Sequence, residues 1–156
     1  MRFLESLPAL GKLNKSEKNN MENFKGSIAL VKDQIDEYLS VMRIGVITSI
    51  DDSSLFAQLA FADSSSARFA SKDILLLKDK AELYTFLLSS PEKIPLGDFK
   101  LLFQVSMLQD RGDSSSHISA CQLLKSSPSA LTLATEPLSE RLQSRHTGHQ
   151  ANTPSR

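Results

Sequence analysis

His117 and Cys121 lie four residues apart, and a thiol within reach of an imidazole is the raw material of a covalent nucleophile. Such a dyad needs hydrogen-bond contact and a third group to orient the base. On a strand, four residues separate the pair by roughly 13 Å, which is too far, so a buried structural cysteine is the better reading. His146 and His149 form an H-x-x-H pair, but Gly148 and Pro154 oppose the helix that would bring both rings to one ion. No cysteine or acid completes a zinc set there. Asp51-Asp52 and Asp110 with Asp113 are paired acids set among turn residues, where aspartate caps backbone amides. General acid–base chemistry would need burial to shift one of each pair. Arg111-Gly112-Asp113 matches the integrin-recognition tripeptide and reads as a turn in which Gly112 takes a positive φ. The sequence contains no phosphate loop, nucleophile elbow or zinc-protease motif. The expectation is a chain with no catalytic residues, no metal, no cofactor and no small-molecule substrate.

Composition narrows the partners. Lys+Arg and Asp+Glu both number 18 in 156 residues, so the formal net charge is zero. That argues against binding driven by a basic excess, whether to nucleic acid or to an anionic membrane. One cysteine permits no intrachain disulfide. The opening Met1-Arg2-Phe3-Leu4 is interrupted by Glu5, Pro8 and Lys12, unlike a signal peptide. No apolar run is long enough for a membrane span. A nuclear location is expected, with a cytoplasmic one as the alternative.

The elements that must position any site follow from apolar spacing. Residues 1–26 read as a flexible N-terminal arm, 27–125 as the domain with a leading helix, and 126–156 as a largely disordered C-terminal tail. Ile28, Val31, Ile35, Leu39 and Met42 fall at helical spacing over 27–42, with Ser27 as N-cap. The period then changes to two. Ile44, Val46, Thr48 and Ile50 share one face of a strand, and Leu55, Ala57, Leu59 and Phe61 share one face of the next. Serine- and aspartate-rich turns separate them. A third strand starts at Ala67 and Phe69, bends near Ser71 and resumes over Ile74–Leu77. A helix follows, capped by Asp79 and ended by Pro91. Phe99, Leu101, Phe103, Val105 and Met107 alternate, and a strand is preferred there over the competing helix. Ile118–Leu124 reads as a fifth strand. Leu138 and Leu142 suit a short helix started by Pro137.

The expected class is therefore mainly β (α+β): a five-stranded barrel with one helix between strands three and four and an N-terminal helix. Arg43–Leu124 resembles an OB-fold in that order, and a small SH3-like barrel or a helix-flanked mixed sheet gives a similar string. Arg43-Ile44-Gly45-Val46-Ile47 resembles the glycine-bearing first strand of the OB-fold, Gly97-Asp98-Phe99-Lys100-Leu101-Leu102 the entry to its fourth, and His117–Leu124 its last. The families resembled are the small OB subunits of genome-maintenance complexes, of the replication protein A and telomere-capping type.

That resemblance implies a groove for single-stranded DNA on strands two and three. Phe56, Gln58, Arg68, Lys100 and Arg111 are its candidate lining. Stacking residues are scarce, with no Trp and two Tyr, so protein contacts are expected to dominate. Ile28, Val31, Ile35, Leu39, Leu138 and Leu142 are the candidate partner-binding residues. The function expected is a non-catalytic subunit of a telomere or DNA-maintenance complex, binding partner subunits and secondarily single-stranded DNA. The alternative is a cytoplasmic protein-interaction adaptor with no nucleic-acid role.

Overall fold

The computed structural model describes residues 23–34, 36–89 and 91–143. Its strands are β1 (Ile28–Gln34), β2 (Ser40–Ile50), β3 (Phe56–Phe61), β4 (Ser66–Ala70), β5 (Ile74–Leu77) and β6 (Thr135–Pro137). Its helices are α1 (Lys80–Ser89), α2 (Leu96–Arg111), α3 (Ser114–Leu124) and α4 (Pro128–Ala134). The fold is a mixed α+β one, with a six-stranded open sheet in the order β4-β3-β2-β1-β5-β6. The expected five-stranded barrel is not formed. The chain divides into two compact units, one built on Gly45–Ile74 and the other on Ile28–Ile44 and Leu75–Glu136.

In the first unit the alternation holds along β3 but not along β2, where Gly45 and Ile47 are buried and Val46 and Thr48, expected to share the inner face with Ile44 and Ile50, are exposed; Leu55 is exposed as well. Ala57, Leu59 and Phe61 are buried along β3, while Phe56 and Gln58 point outward. β3 pairs antiparallel with the second half of β2 and with β4. Ser54 and Ser64 take the left-handed conformation in the two tight turns, at φ 67° and 73°. The chain does bend at Ser71, which is nearly fully buried. Its amide donates to Leu55 O (2.8 Å) and its hydroxyl to Ser54 O (2.6 Å). Gly45 sits opposite Phe61 in the β2–β3 register. A Cβ there would lie 2.9 Å from the Phe61 ring and 3.0 Å from Ala60 O. Phe61 in turn stands edge-on to Phe69, with centroids 6.0 Å apart.

In the second unit three sequence expectations fail. The leading helix over 27–42 is instead β1, a tip and the start of β2. Ala29, Leu30 and Val31 are consecutive and all fully buried, a continuous run that suits a strand covered on both faces. Asp36 then turns the chain, its carboxylate accepting from the amides of Tyr38 (2.8 Å) and Leu39 (2.9 Å). Such a local cap competes directly with helix continuation. Arg43 donates to Asp33 across the hairpin (2.9 Å).

The expected strand at Phe99–Met107 is the centre of α2, and the expected strand at Ile118–Leu124 is the body of α3. In α2 the buried positions are Leu102, Val105, Ser106 and Gln109, which step by three and four and lie on one helical face. Pro95 precedes the helix, Arg111 lies in its last turn, and Gly112 ends it at φ 79° with its amide on Gln109 O. These end signals outweigh an alternation that Leu102 and Leu108 interrupt. In α3 the buried set Ser116, Ala120, Cys121 and Leu124 has the same spacing.

The core of this unit gathers Leu30 and Leu77 from strands with Leu83, Leu87, Leu102, Val105, Cys121 and Leu124 from helices. Polar ties fix its edges. Gln109 Nε2 donates to Lys78 O (2.8 Å), and Lys78 N donates to Ala134 O (2.8 Å). Asp98 accepts from the hydroxyls of Ser127, the N-cap of α4, and Ser129. The segment expected to be a tail thus carries α4 and β6, with residues 138–143 also helical, and 144–156 lies outside the described residues. Most of the arm over 1–26 lies outside them too.

Two outcomes follow. Gly45→Ala forces a Cβ into the Phe61 ring, and overpacking of this kind costs about 1–3 kcal/mol, read as a lower urea midpoint at unchanged slope. Asp113 caps α3, accepting from Ser116 Oγ (2.7 Å) and Ser116 N (3.1 Å). Those bonds, the side-chain one foremost, hold its carboxyl below the usual aspartate value. A depressed folded-state value stabilises above the unfolded one and is lost as pH falls through the folded one. Asp113→Asn should therefore flatten the acid limb of the stability–pH curve below about pH 4, measured by thermal melts. An acid limb identical to wild type contradicts this role.

Candidate functional site

The five residues expected to line a groove do not gather in one place. Phe56, Gln58 and Arg68 share the outer side of the β3–β4 hairpin, where Gln58 and Arg68 are direct cross-strand partners. Lys100 and Arg111 belong to α2, in the other unit. Eleven residues of helix separate those two by roughly 16 Å.

Within the hairpin group the charges are already committed. The Arg68 guanidinium lies 4.1 Å from the centroid of the Phe56 ring, a cation–π stack. Its Nη2 also lies 2.6 Å from Asp51 Oδ2. Gln58 Nε2 donates to Ser66 Oγ (3.3 Å). A stacking platform for bases needs an open ring face, and phosphate neutralisation needs a cation without an anion beside it. Arg68 occupies a face of Phe56, and Asp51 neutralises Arg68.

The expected partner-binding residues are not a surface either. Val31 and Leu138 are fully buried. Ile28 and Leu142 are half-buried, and Ile28 packs against the core of the second unit. Leu39 is half exposed at the β1–β2 tip, beside the fully presented Tyr38. Ile35 lies outside the described residues. The helical stripe expected over 27–42 does not exist, so its residues part between strand interior and hairpin tip, whereas Leu138 and Leu142 do lie on a short helical stretch over 138–143.

A different surface emerges from α1 and α2. Only a short connection joins the two helices, and Lys80 at the start of α1 bonds Asp110 near the end of α2 (3.0 Å), so they run antiparallel. Between them lies a cleft of about 390 Å³ lined by Lys80, Ala81, Tyr84, Phe103, Ser106, Met107 and Asp110. Ser106 is nearly buried and forms its floor. Tyr84, Phe103 and Met107 are 48%, 43% and 57% exposed and form apolar walls. On α2 the sequence Leu96, Lys100, Phe103, Met107 steps by four, three and four, a single stripe opposite the buried one. On α1, Tyr84 and Leu88 are likewise stacked one turn apart. The alternating reading missed this face because it sent Phe103 and Met107 inward with Val105. Once the segment is a helix, two apolar stripes appear, and one of them has nothing of the second unit's core to pack against.

The chemistry-bearing residues take structural positions. Cys121 is fully buried, and burial pushes its thiol up to about 12, so the nucleophilic thiolate is suppressed. The helix, not a strand, carries it and His117. Asp51 and Asp110 are ion-paired and Asp113 is a cap. Gly112 takes the expected positive φ. His146 and His149 lie outside the described residues. Among the described residues no group of three His, Cys, Asp or Glu is placed to hold a metal ion, and no helix is long and apolar enough to cross a membrane.

Comparison with protein families, with curated proteins and with solved structures finds no match to this chain.

Because Arg68 is held by Asp51 and Phe56, the full chain should bind a fluorescent single-stranded oligonucleotide weakly and only at low salt. Asp51→Asn should strengthen that binding by releasing the cation. Nanomolar, salt-insensitive binding by the wild type, measured by anisotropy, contradicts this electrostatic account.

Proposed function

We propose that this chain is a non-catalytic protein-binding subunit of a larger assembly, docking through the outer face of α1 and α2. The observation that supports the reading is the pair of apolar stripes around the cleft at Tyr84, Phe103 and Met107. Contiguous exposed apolar surface is costly in water and characteristic of sites that a partner covers. Aromatic and methionine side chains around a concave centre are also the composition of interface cores. The second surface, at Phe56 and Arg68, is internally paired and makes single-stranded DNA a secondary ligand at most. The telomere or replication setting implied by the sequence resemblance gains no support from the fold, because the segments resembling the fourth and fifth OB strands, Gly97–Leu102 and His117–Leu124, lie in α2 and α3.

Affinity purification of the full chain with and without nuclease tests the reading. Partners should remain after nuclease, and Phe103→Glu, folded by circular dichroism, should lose them at least tenfold. Phe56→Ala should retain them. Release of every partner by nuclease, or retention of all of them by Phe103→Glu, overturns the proposal.

A further inference from the structure

β4 ends the sheet on one side, with no strand beyond it among the described residues. The β3–β4 register shows which of its backbone groups are already paired. Phe61 N donates to Ser65 O (2.9 Å) at one end of the hairpin, and Ser71 N donates to Leu55 O (2.8 Å) at the other. Hydrogen-bonded pairs recur at every second residue of an antiparallel ladder. Ser65, Ala67, Phe69 and Ser71 therefore turn their amides toward β3, and Ser66, Arg68 and Ala70 turn theirs away from it. The open side presents the N–H and C=O groups of Ser66 and Arg68 and the N–H of Ala70.

The inner layer is unfinished at the same edge. Along β3, Ala57, Leu59 and Phe61 are buried. The β4 residues paired with Ala57 and Leu59 are Phe69 and Ala67, and both are only half-buried. Phe69 packs edge-on to Phe61 on one side and has no strand on the other. One added strand would pair the open backbone groups and cover both apolar side chains.

The side chains of β4 suit a second β4, run antiparallel about a twofold axis at Arg68. Ala67 of each copy then faces Phe69 of the other, small against large, on the inner side. Arg68 faces its own counterpart on the outer side, and like charges directly opposite destabilise a strand pair. Here each guanidinium is drawn over its own Phe56 ring and held by Asp51 at 2.6 Å. Pairing brings two compensated ion pairs together, not two bare cations. The formal net charge of zero adds no long-range repulsion between copies.

We propose that two copies of this chain associate through β4, continuing the sheet across a twofold axis at Arg68, with Asp51 as the counter-charge that permits the approach. The contact has about four backbone hydrogen bonds. It is small, so the dimer is weak and forms only as concentration rises. The α1–α2 face plays no part in it, and the two readings stand or fall separately.

Sedimentation of the full chain over a range of concentrations, with amide hydrogen exchange, provides the test. Ala70 has φ −68°, which proline adopts, and its N–H points out of the sheet. Ala70→Pro therefore removes an edge donor without breaking the β3–β4 ladder, and a circular dichroism melt verifies its fold. It should weaken the dimer at least tenfold. Asp51→Asn should also weaken it, and added salt should restore association by screening the two guanidinium groups. In the wild type, the amides of Ser66, Arg68 and Ala70 should exchange more slowly as concentration rises. A chain that sediments as a monomer at every concentration overturns the proposal. So does a dimer that Ala70→Pro leaves intact and Phe103→Glu disperses, because the copies then meet at α1 and α2. Should Ala70→Pro fail to fold, exchange at the three amides decides: rates independent of concentration overturn the proposal.

Discussion

The second unit depends on one requirement: the apolar side chains of Leu30 and Leu77, presented by short strands, must be covered by helix. Leu83 and Leu87 from α1, Leu102 and Val105 from α2, and Cys121 and Leu124 from α3 supply that cover. Each large side chain buried in such a core contributes about 1.5–3 kcal/mol relative to exposure. No single helix here has enough apolar residues on one face to do this alone. The helices therefore follow one another with short connections, and the last two of these are closed by caps: Gly112 with Asp113 after α2, and Ser127 before α4. The requirement also leaves a remainder. A helix that buries Leu102, Val105 and Gln109 must turn Leu96, Phe103 and Met107 the other way.

The parts of this architecture readable in the sequence are those whose signals are local. The β3 and β4 strands, the bend at Ser71, the resumption at Ile74 and the helix begun near Asp79 all follow from turn residues and alternation over a few positions. The fully buried Cys121 and the positive φ of Gly112 were legible in the same way. The failures share a cause. From Ile28 to Met42 and from Phe99 to Met107, apolar residues are dense enough to satisfy two periods at once. In the first stretch the run Ala29-Leu30-Val31 and the Asp36 turn decide for strand. In the second, Pro95 and Gly112 at the ends decide for helix. End signals carried the answer where periodicity did not.

The candidate site was less legible than the fold, and for a related reason. Which apolar residues a helix exposes is known only once its phase is known, so assigning Phe103 to a strand hid the surface it belongs to. The hairpin residues Phe56, Gln58 and Arg68 were correctly placed side by side. What the sequence did not disclose is that Asp51, seventeen positions from Arg68, reaches the same guanidinium. A cation counted from sequence is a potential ligand for phosphate; a cation with a carboxylate at 2.6 Å has a competitor for that role already in place. Apparent charge and available charge differ by contacts that spacing does not record.

The ties around α4 bear on the order in which the molecule acquires its shape. At seven residues, α4 is too short to persist by itself in water. Its N-cap serine is gripped by Asp98 of α2, and Ala134 at its end receives the amide of Lys78. Both anchors precede it along the chain. On the ribosome this segment therefore emerges after the residues that grip it, and its helix is held by those contacts rather than by its own length.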